Sequence, residues 1–396
     1  LKRAALKDAR KRAAIIVLDG VGIGPAPDTV AYGDGGSDTL GNVARAVGGL
    51  RLPNLERLGL GRCRPIPGLS PGLRPTAAHG VALPRSPGKD STTGHWEICG
   101  VLLDEAFRTY PQGFPEDIIR EFARRTGRGV IGNKAASGTA IIAELGEEHQ
   151  RTGKWIVYTS ADSVFQVAAH EATVPLEELY GACRTARELL VGEHAVSRVI
   201  ARPFVGRPGA YARTPNRRDF SIEPVGTTLL DRLAAAGIPR VGIGKVDDLF
   251  AGRHIASEHT PTNADAYRLI EQALARVETG FIFVNVIEFD QSWGHRNDVA
   301  GFHEGLRELD AWLPRLEQRL RAEDLVIVTA DHGNDPTTPS TDHSREAVPI
   351  LVLGPQVRAA ALGERGTFAD MGATIAEYFE VAPLAAGTSF LQEVRG

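Results

Sequence analysis

The stretch Thr227-Thr-Leu-Leu-Asp-Arg-Leu-Ala-Ala-Ala-Gly-Ile-Pro-Arg-Val-Gly-Ile-Gly244 decides the fold class. Leu229, Leu230, Leu233 and Ala234 recur at helical spacing, Gly237 supplies a stop, Pro239 blocks continuation, and an apolar run over 240–244 follows as a strand. The same helix-then-strand order repeats downstream. Leu269, Ile270, Ala273, Leu274 and Val277 share one helical face, with Gly280 as the stop before a strand over 281–287. Leu306, Leu309, Leu313 and Leu316 follow at helical spacing before a strand over 325–329, and 347–353 adds another short apolar run. Helices alternating with wholly apolar strands predict an α/β fold with a mainly parallel sheet covered on both faces.

A chain of 396 residues has room for a second domain. The stretch 101–219 reads as a separate α/β unit, with helices over 116–125 and 176–190 around short strands near 155–159 and 196–201. It ends in a Pro-, Gly- and Arg-rich segment, 202–218, which reads as a hinge or a binding loop. The expected architecture is a discontinuous core, residues 1–100 and 220–396, carrying an inserted cap domain over 101–219.

Composition excludes several classes of function. Hydrophobic residues make up 42% and charged residues 24%, the balance of a globular protein and not of a disordered one. With 45 Lys+Arg against 49 Asp+Glu, no basic excess exists to neutralise a nucleic-acid backbone. The basic start, 1–12, is followed by too short an apolar run (13–18) for a signal-peptide core, and no run reaches the length of a membrane span. Cys63, Cys99 and Cys183 are too scattered for a disulfide framework, and their odd number suits a reducing compartment. A cytoplasmic protein without nucleic-acid, membrane or obligate protein partners is expected.

Three apolar strands each run into an aspartate: Ile15-Ile-Val-Leu-Asp19, Phe283-Val-Asn-Val-Ile-Glu-Phe-Asp290 and Val326-Ile-Val-Thr-Ala-Asp331. In a parallel sheet all three acids lie along the carboxyl edge, where ligands bind in such folds. One such Asp alone is an ordinary turn or helix-cap residue. Here His295 follows Asp290, His332 follows Asp331, and His343 lies a little further on. Clustered carboxylates repel by about 4 kcal/mol per close pair at an effective dielectric constant of about 20, so the set calls for cations. Mixed imidazole and carboxylate ligands suit Mn, Zn or Fe, and six ligands are enough for two ions, which together clamp the oxygens of an in-line phosphoryl or sulfuryl displacement. Among the other histidines His95 stands apart, in Gly88-Lys-Asp-Ser-Thr-Thr-Gly-His-Trp-Glu97. Its three hydroxyls can place a nucleophile beside metals, or can simply cap a helix. His79, His149, His170, His194, His254, His259 and His303 read mostly as surface or capping residues. Lys245, in Gly242-Ile-Gly-Lys245, lacks the first glycine and the hydroxyl of a P-loop but can still bind phosphate.

These residues carry a resemblance. The segments 18–24, 89–97, 132–138, 158–166, 198–204, 290–295 and 330–334 resemble the motifs of the phosphopentomutases of the alkaline phosphatase superfamily, over nearly the whole chain. Gly94-His-Trp-Glu97 and Ser160-Ala-Asp-Ser-Val-Phe-Gln166 single out that branch. The resemblance implies an alkaline-phosphatase-like core in which Asp19, Asp331 and His332 hold one divalent metal, and Asp290, His295 and His343 a second, typically Mn. It also implies a nucleophilic hydroxyl, usually Thr, which here is Ser91. Glu288 departs from the Asp usual in relatives. The implied reaction interconverts the 1- and 5-phosphates of ribose or deoxyribose through a phosphoenzyme and a sugar bisphosphate, the latter also serving as activator. The cap would grip the sugar phosphate through Asp162, Arg202 and Arg213. The nearest alternatives are a metal-dependent phosphatase or a cofactor-independent phosphoglycerate mutase of the same superfamily. A catalytically silent metal-binding protein is the alternative from another class, and the hydroxyls at 91–93 argue against it.

Overall fold

The structure is a computed structural model and describes residues 10–160 and 163–395. It separates into two units, one made of the residues up to Glu105 with those from Pro224 onward, the other of Ala106–Glu223. Strands β1 (Arg12–Leu18) and β2 (Ala78–Ala82) precede the insertion. The inserted unit carries β3 (Val130–Ala135), β4 (Trp155–Thr159), β5 (Val164–His170), β6 (Arg198–Val205), β7 (Ala212–Arg213) and β8 (Arg218–Ser221). The chain returns through β9 (Arg240–Ile243), β10 (Ser257–Glu258), β11 (Gly280–Val286), β12 (Leu325–Thr329), β13 (Val348–Leu353) and β14 (Ala361–Arg365).

The first unit is built on one sheet in the order β10-β9-β11-β1-β12-β13-β2-β14. Pairing is parallel except around β13, which runs antiparallel to both β12 and β2. The connection from 330 to 347 contains no helix, the element that usually carries a parallel crossover, and the chain returns antiparallel. Every residue of β1, β11, β12 and β13 is buried, as a sheet covered on both faces demands. The stretch that opened the reading folds as expected. Thr228 and Asp231 form a reciprocal capping box at the start of the helix Leu229–Ala235, Gly237 takes φ +71 after it, and β9 begins at Arg240. The fold is α/β with a mainly parallel sheet, as the alternation of helices and apolar strands predicted.

In the second unit the order is β3-β4-β5-β6-β7, with β8 also paired to β6. Alternate residues of β4 feed two cores: Trp155 and Val157 pack with Phe122, Phe165 and Cys183, while Ile156 and Tyr158 pack with Ile141, Ile142 and Phe204. The segment 202–218 is not a hinge. Its first residues continue β6 to Val205, and β7 turns back to pair antiparallel with it at Phe204 and Val205, because a sheet strand satisfies backbone groups that a hinge would leave to water. Three of the histidines read mostly as surface or capping residues are buried. His79, His149 and His170 lie within strands or against them, each at most 9% exposed. Periodicity misses them because an imidazole whose two nitrogens are both bonded, as in His149, behaves as a core residue. Among the described residues no helix is long and apolar enough to cross a membrane.

Candidate metal centre

Three adjacent strands, β11, β1 and β12, deliver their acids to one edge. Asp19 follows β1 directly and Asp331 lies two residues beyond β12. Asp290 sits in a π-turn, Phe289–Trp293, that follows β11. All three are nearly or wholly buried, at 0%, 2% and 4% exposure respectively. Gly20 takes φ +80, and a Cβ there would stand 3.0 Å from the Asn334 side chain and 3.3 Å from that of Asp290, so glycine is what lets the chain turn beside both.

The side chains gather into two triads. Asp19, Asp331 and His332 offer ligand atoms within 4.8 Å of one another, and so do Asp290, His295 and His343. In the first, His332 Nε2 lies 3.3 Å from Asp19 Oδ1 and 3.5 Å from Asp331 Oδ2. In the second, Asp290 receives His295 Nε2 at 3.3 Å and His343 Nε2 at 3.2 Å, one on each oxygen. The triads adjoin, with the His332 and His343 ring centroids 4.2 Å apart. A third group, Asp247, Asp248 and His259, is partly exposed at the surface.

Ser91 begins the helix Ser91–Ile98 and is 8% exposed. Its Oγ lies 3.2 Å from Asp19 Oδ1, 3.2 Å from His332 Nε2 and 3.4 Å from Lys245 Nζ. Thr93 is occupied elsewhere, donating its hydroxyl to the Asp90 carboxylate at 2.6 Å while its N–H donates to the same side chain at 3.1 Å. Lys245 closes the group with an ion pair of 2.7 Å to Asp19 Oδ2.

The charged groups of the centre shift one another. Burial alone would raise the Asp19 pKa, yet the Lys245 ammonium and His332 hold it below the ordinary carboxylate range. Burial likewise opposes the charge of Lys245, and the carboxylates of Asp19 and Asp290 outweigh it and raise its pKa. His332, also opposed by burial, is pushed up to about 10 by Asp331 and Asp19. Asp290 is held well below its usual value, since His343 and His295 overcome its burial. The residues fit divalent ions on two grounds. Each triad joins carboxylate and imidazole donors, and Asp331 Oδ2 is buried without a hydrogen-bond partner, an anionic oxygen left for a cation to satisfy.

In the second unit, Arg202 donates Nε–H to Gln166 Oε1 at 3.1 Å, and Arg213 lies on the exposed strand β7. Burial lowers the Arg202 pKa, and the neighbouring Arg217 and Arg213 charges add to the effect. Beside them the buried Tyr158 hydroxyl has no hydrogen-bond partner. Asp162 lies outside the described residues. Sequence reading passed over Asn285 and Asn334. Asn334 donates to Asp290 Oδ1 at 2.7 Å and Asn285 to Asp19 Oδ2 at 3.2 Å. A buried amide in the otherwise apolar run of β11 was the available signal. Glu288 accepts from Asn263 N–H at 2.6 Å and caps the helix Asn263–Arg276 from outside the triads.

The family model described as the metalloenzyme superfamily matches residues 11–383, so fold and match define a metalloenzyme of alkaline-phosphatase-like architecture. A phosphopentomutase of Carboxydothermus hydrogenoformans is 55% identical over 387 residues, covering 97% of this chain and 100% of that protein. Another, from Anaeromyxobacter sp. strain K, is 59% identical over 386 residues, covering 97% and 99%. Among solved structures, a phosphoglycerate mutase of Leishmania mexicana aligns over 97% of this chain and 98% of its own at 14% identity and a TM-score of 0.48, too distant to inform the chemistry. Within the metalloenzyme superfamily, the chain belongs to the phosphopentomutase family.

Proposed function

We propose that the chain interconverts ribose 1-phosphate or 2-deoxyribose 1-phosphate with the corresponding 5-phosphate. The near full-length identity to phosphopentomutases carries this reading, and the placement of Ser91 supports it. Asp19, Asp331 and His332 would hold one divalent ion and Asp290, His295 and His343 the other, with manganese favoured by the family and compatible with the donor set. When bound, such ions supply Lewis acidity that lowers the pKa of a neighbouring hydroxyl and offsets charge on a phosphoryl group in transfer.

Ser91 is the nucleophile. In the resting cycle it carries the phosphoryl group, its Oγ–P bond breaking as a hydroxyl of the sugar monophosphate attacks phosphorus. The resulting bisphosphate reorients and returns its other phosphoryl group to Ser91 Oγ, releasing the isomer. Lys245, 3.4 Å from that oxygen, stabilises the anionic group on it. The position of Ser91 as the first residue of its helix sets the group against the positive end of the helix dipole. Arg202, Arg213 and Asp162 bind the sugar phosphate, the guanidinium groups being suited to bidentate contact with phosphate. A sugar bisphosphate primes enzyme that has lost its phosphoryl group.

The test is to incubate the purified protein with ribose 5-phosphate, Mn²⁺ and a trace of glucose 1,6-bisphosphate and to follow phosphorus NMR. Ribose 1-phosphate should accumulate to equilibrium. Release of inorganic phosphate in its place would make the protein a phosphatase, and isomerisation of 3-phosphoglycerate with none of ribose 5-phosphate would make it a phosphoglycerate mutase.

A further inference from the structure

His95 is completely buried in the helix that begins with Ser91, and Asn285 is completely buried one residue before the end of β11. Neither belongs to a triad, yet together they link both carboxylates of the first one. His95 Nδ1 lies 2.9 Å from the Ser91 carbonyl oxygen and 3.1 Å from Asp331 Oδ2. Both of those atoms accept, so Nδ1 carries the ring hydrogen. The hydrogen bond goes to the carbonyl. Asp331 Oδ2 is held by the positive side of the same N–H without a hydrogen bond of its own, which leaves its lone pairs for an ion. Nε2, on the far side of the ring, faces Asn285 Nδ2 at 3.4 Å.

One hydrogen of Asn285 Nδ2 points to Asp19 Oδ2, 3.2 Å away. This fixes the amide orientation, because the flipped amide would set Oδ1 against the Asp19 carboxylate oxygen, and it turns the other N–H towards His95 Nε2 as an acceptor. Asn285 Oδ1 is left buried with no partner. An apolar side chain would avoid that cost, and Phe283, Val284 and Val286 around it are all apolar and buried. The His95 ring is held from the side by Phe283, with centroids 5.5 Å apart. A chain of contacts therefore runs from Asp19 through Asn285 and His95 to Asp331, passing the backbone of Ser91.

We propose that Asn285, acting through His95, is a positioning residue that aims the Asp19 and Asp331 carboxylates at one shared divalent ion. The proposal rests on the two-metal reading above. Partners behind metal ligands change metal affinity by about 10–100-fold when removed. The pair touches only the first triad, whereas a purely structural polar contact would weaken both sites together or lower thermal stability alone.

The experiment measures Mn²⁺ binding to chelated and reloaded full-length protein by calorimetry and electron paramagnetic resonance. Wild type should take up two ions. Asn285→Leu should weaken one of them by about 10–100-fold and leave the other within about twofold. In an Asp290→Ala background, where the first triad alone remains, Asn285→Leu should show the whole loss. His95→Leu should reproduce it. His95→Asn, which can keep an amide hydrogen near the Nδ1 position, should recover part of it. Two ions in wild type with unchanged affinities in Asn285→Leu and His95→Leu would overturn the positioning role. Fewer than two in wild type would overturn the two-metal reading on which it stands. Should Asn285→Leu fail to fold, His95→Leu and His95→Asn carry the same expectations.

Discussion

At the scale of single residues, the centre is a set of side chains whose charges are tolerable only in company. Asp290, 4% exposed, takes a histidine nitrogen on each oxygen, so its removal leaves His295 and His343 without their shared anion. Asp290→Ala is expected to cost about one of two Mn²⁺ ions per chain by elemental analysis, together with nearly all activity. Ser91 differs from its neighbours by geometry and not by chemistry. Its oxygen faces Asp19, His332 and Lys245, while the Thr93 hydroxyl is tied to Asp90. Peptide mass spectrometry after treatment with glucose 1,6-bisphosphate should place the phosphate on Ser91, and phosphate on Thr92 or Thr93 would remove Ser91 from its role. The strand-end acids and the His-bearing motifs were legible because they break apolar runs. Asn285 also breaks an apolar run, but one amide inside a strand acquires meaning only from what faces it.

At the scale of elements, the helix Ser91–Ile98 has to be brought hard against the loop after β12. Gly94 makes this possible. A Cβ there would lie 2.2 Å from the Asp331 carbonyl oxygen and 2.8 Å from the Asp331 Cβ. Gly94→Ala therefore forces helix and loop apart, and it is expected to cost about 1–3 kcal/mol of stability, as overpacking does. Unlike an ordinary overpacked core position, it should also weaken metal binding by displacing Asp331. Denaturant unfolding of the chelated protein alongside Mn²⁺ titration checks both effects, and wild-type affinity in a destabilised variant would separate the helix from the site. Local patterns revealed most elements of the first unit, for instance the helix Leu229–Ala235 and its stop at Gly237. At 202–218 Pro, Gly and Arg suggested a hinge or a binding loop, and the pairing of β6 with β7 across the segment speaks against the hinge. Pairing between distant backbone segments leaves no mark on local composition.

At the scale of the whole molecule, the second unit has its own pH sensitivity. Buried His149 accepts the His170 backbone N–H at Nε2, 2.9 Å away, and donates from Nδ1 to the Lys154 carbonyl at 2.6 Å, so its fold admits only the neutral ring. Burial lowers its pKa below the ordinary 6.5, and neighbouring His170 and Arg128 act in the same direction. Below 6.5 the unfolded chain binds more protons at this position than the folded one. The stability it contributes is thus present above pH 6.5 and is lost as pH falls through the depressed folded value. Thermal unfolding between about pH 7.5 and 5 should show that decline, and His149→Gln should flatten it relative to wild type; equal slopes would exclude His149 as the source. The sequence by itself determined the alternation of helices and buried strands, the acids that follow three of those strands, and the family, because covalent order and apolar periodicity are properties of the chain alone. Only the tertiary structure decided that β13 runs against its neighbours, that the Ser91 hydroxyl faces the first triad while that of Thr93 turns to Asp90, and that His95 and Asn285 stand behind Asp19 and Asp331. Those facts depend on strands that are adjacent in the sheet while lying hundreds of residues apart in sequence, as β1 and β11 do, and on side-chain directions that folding alone sets.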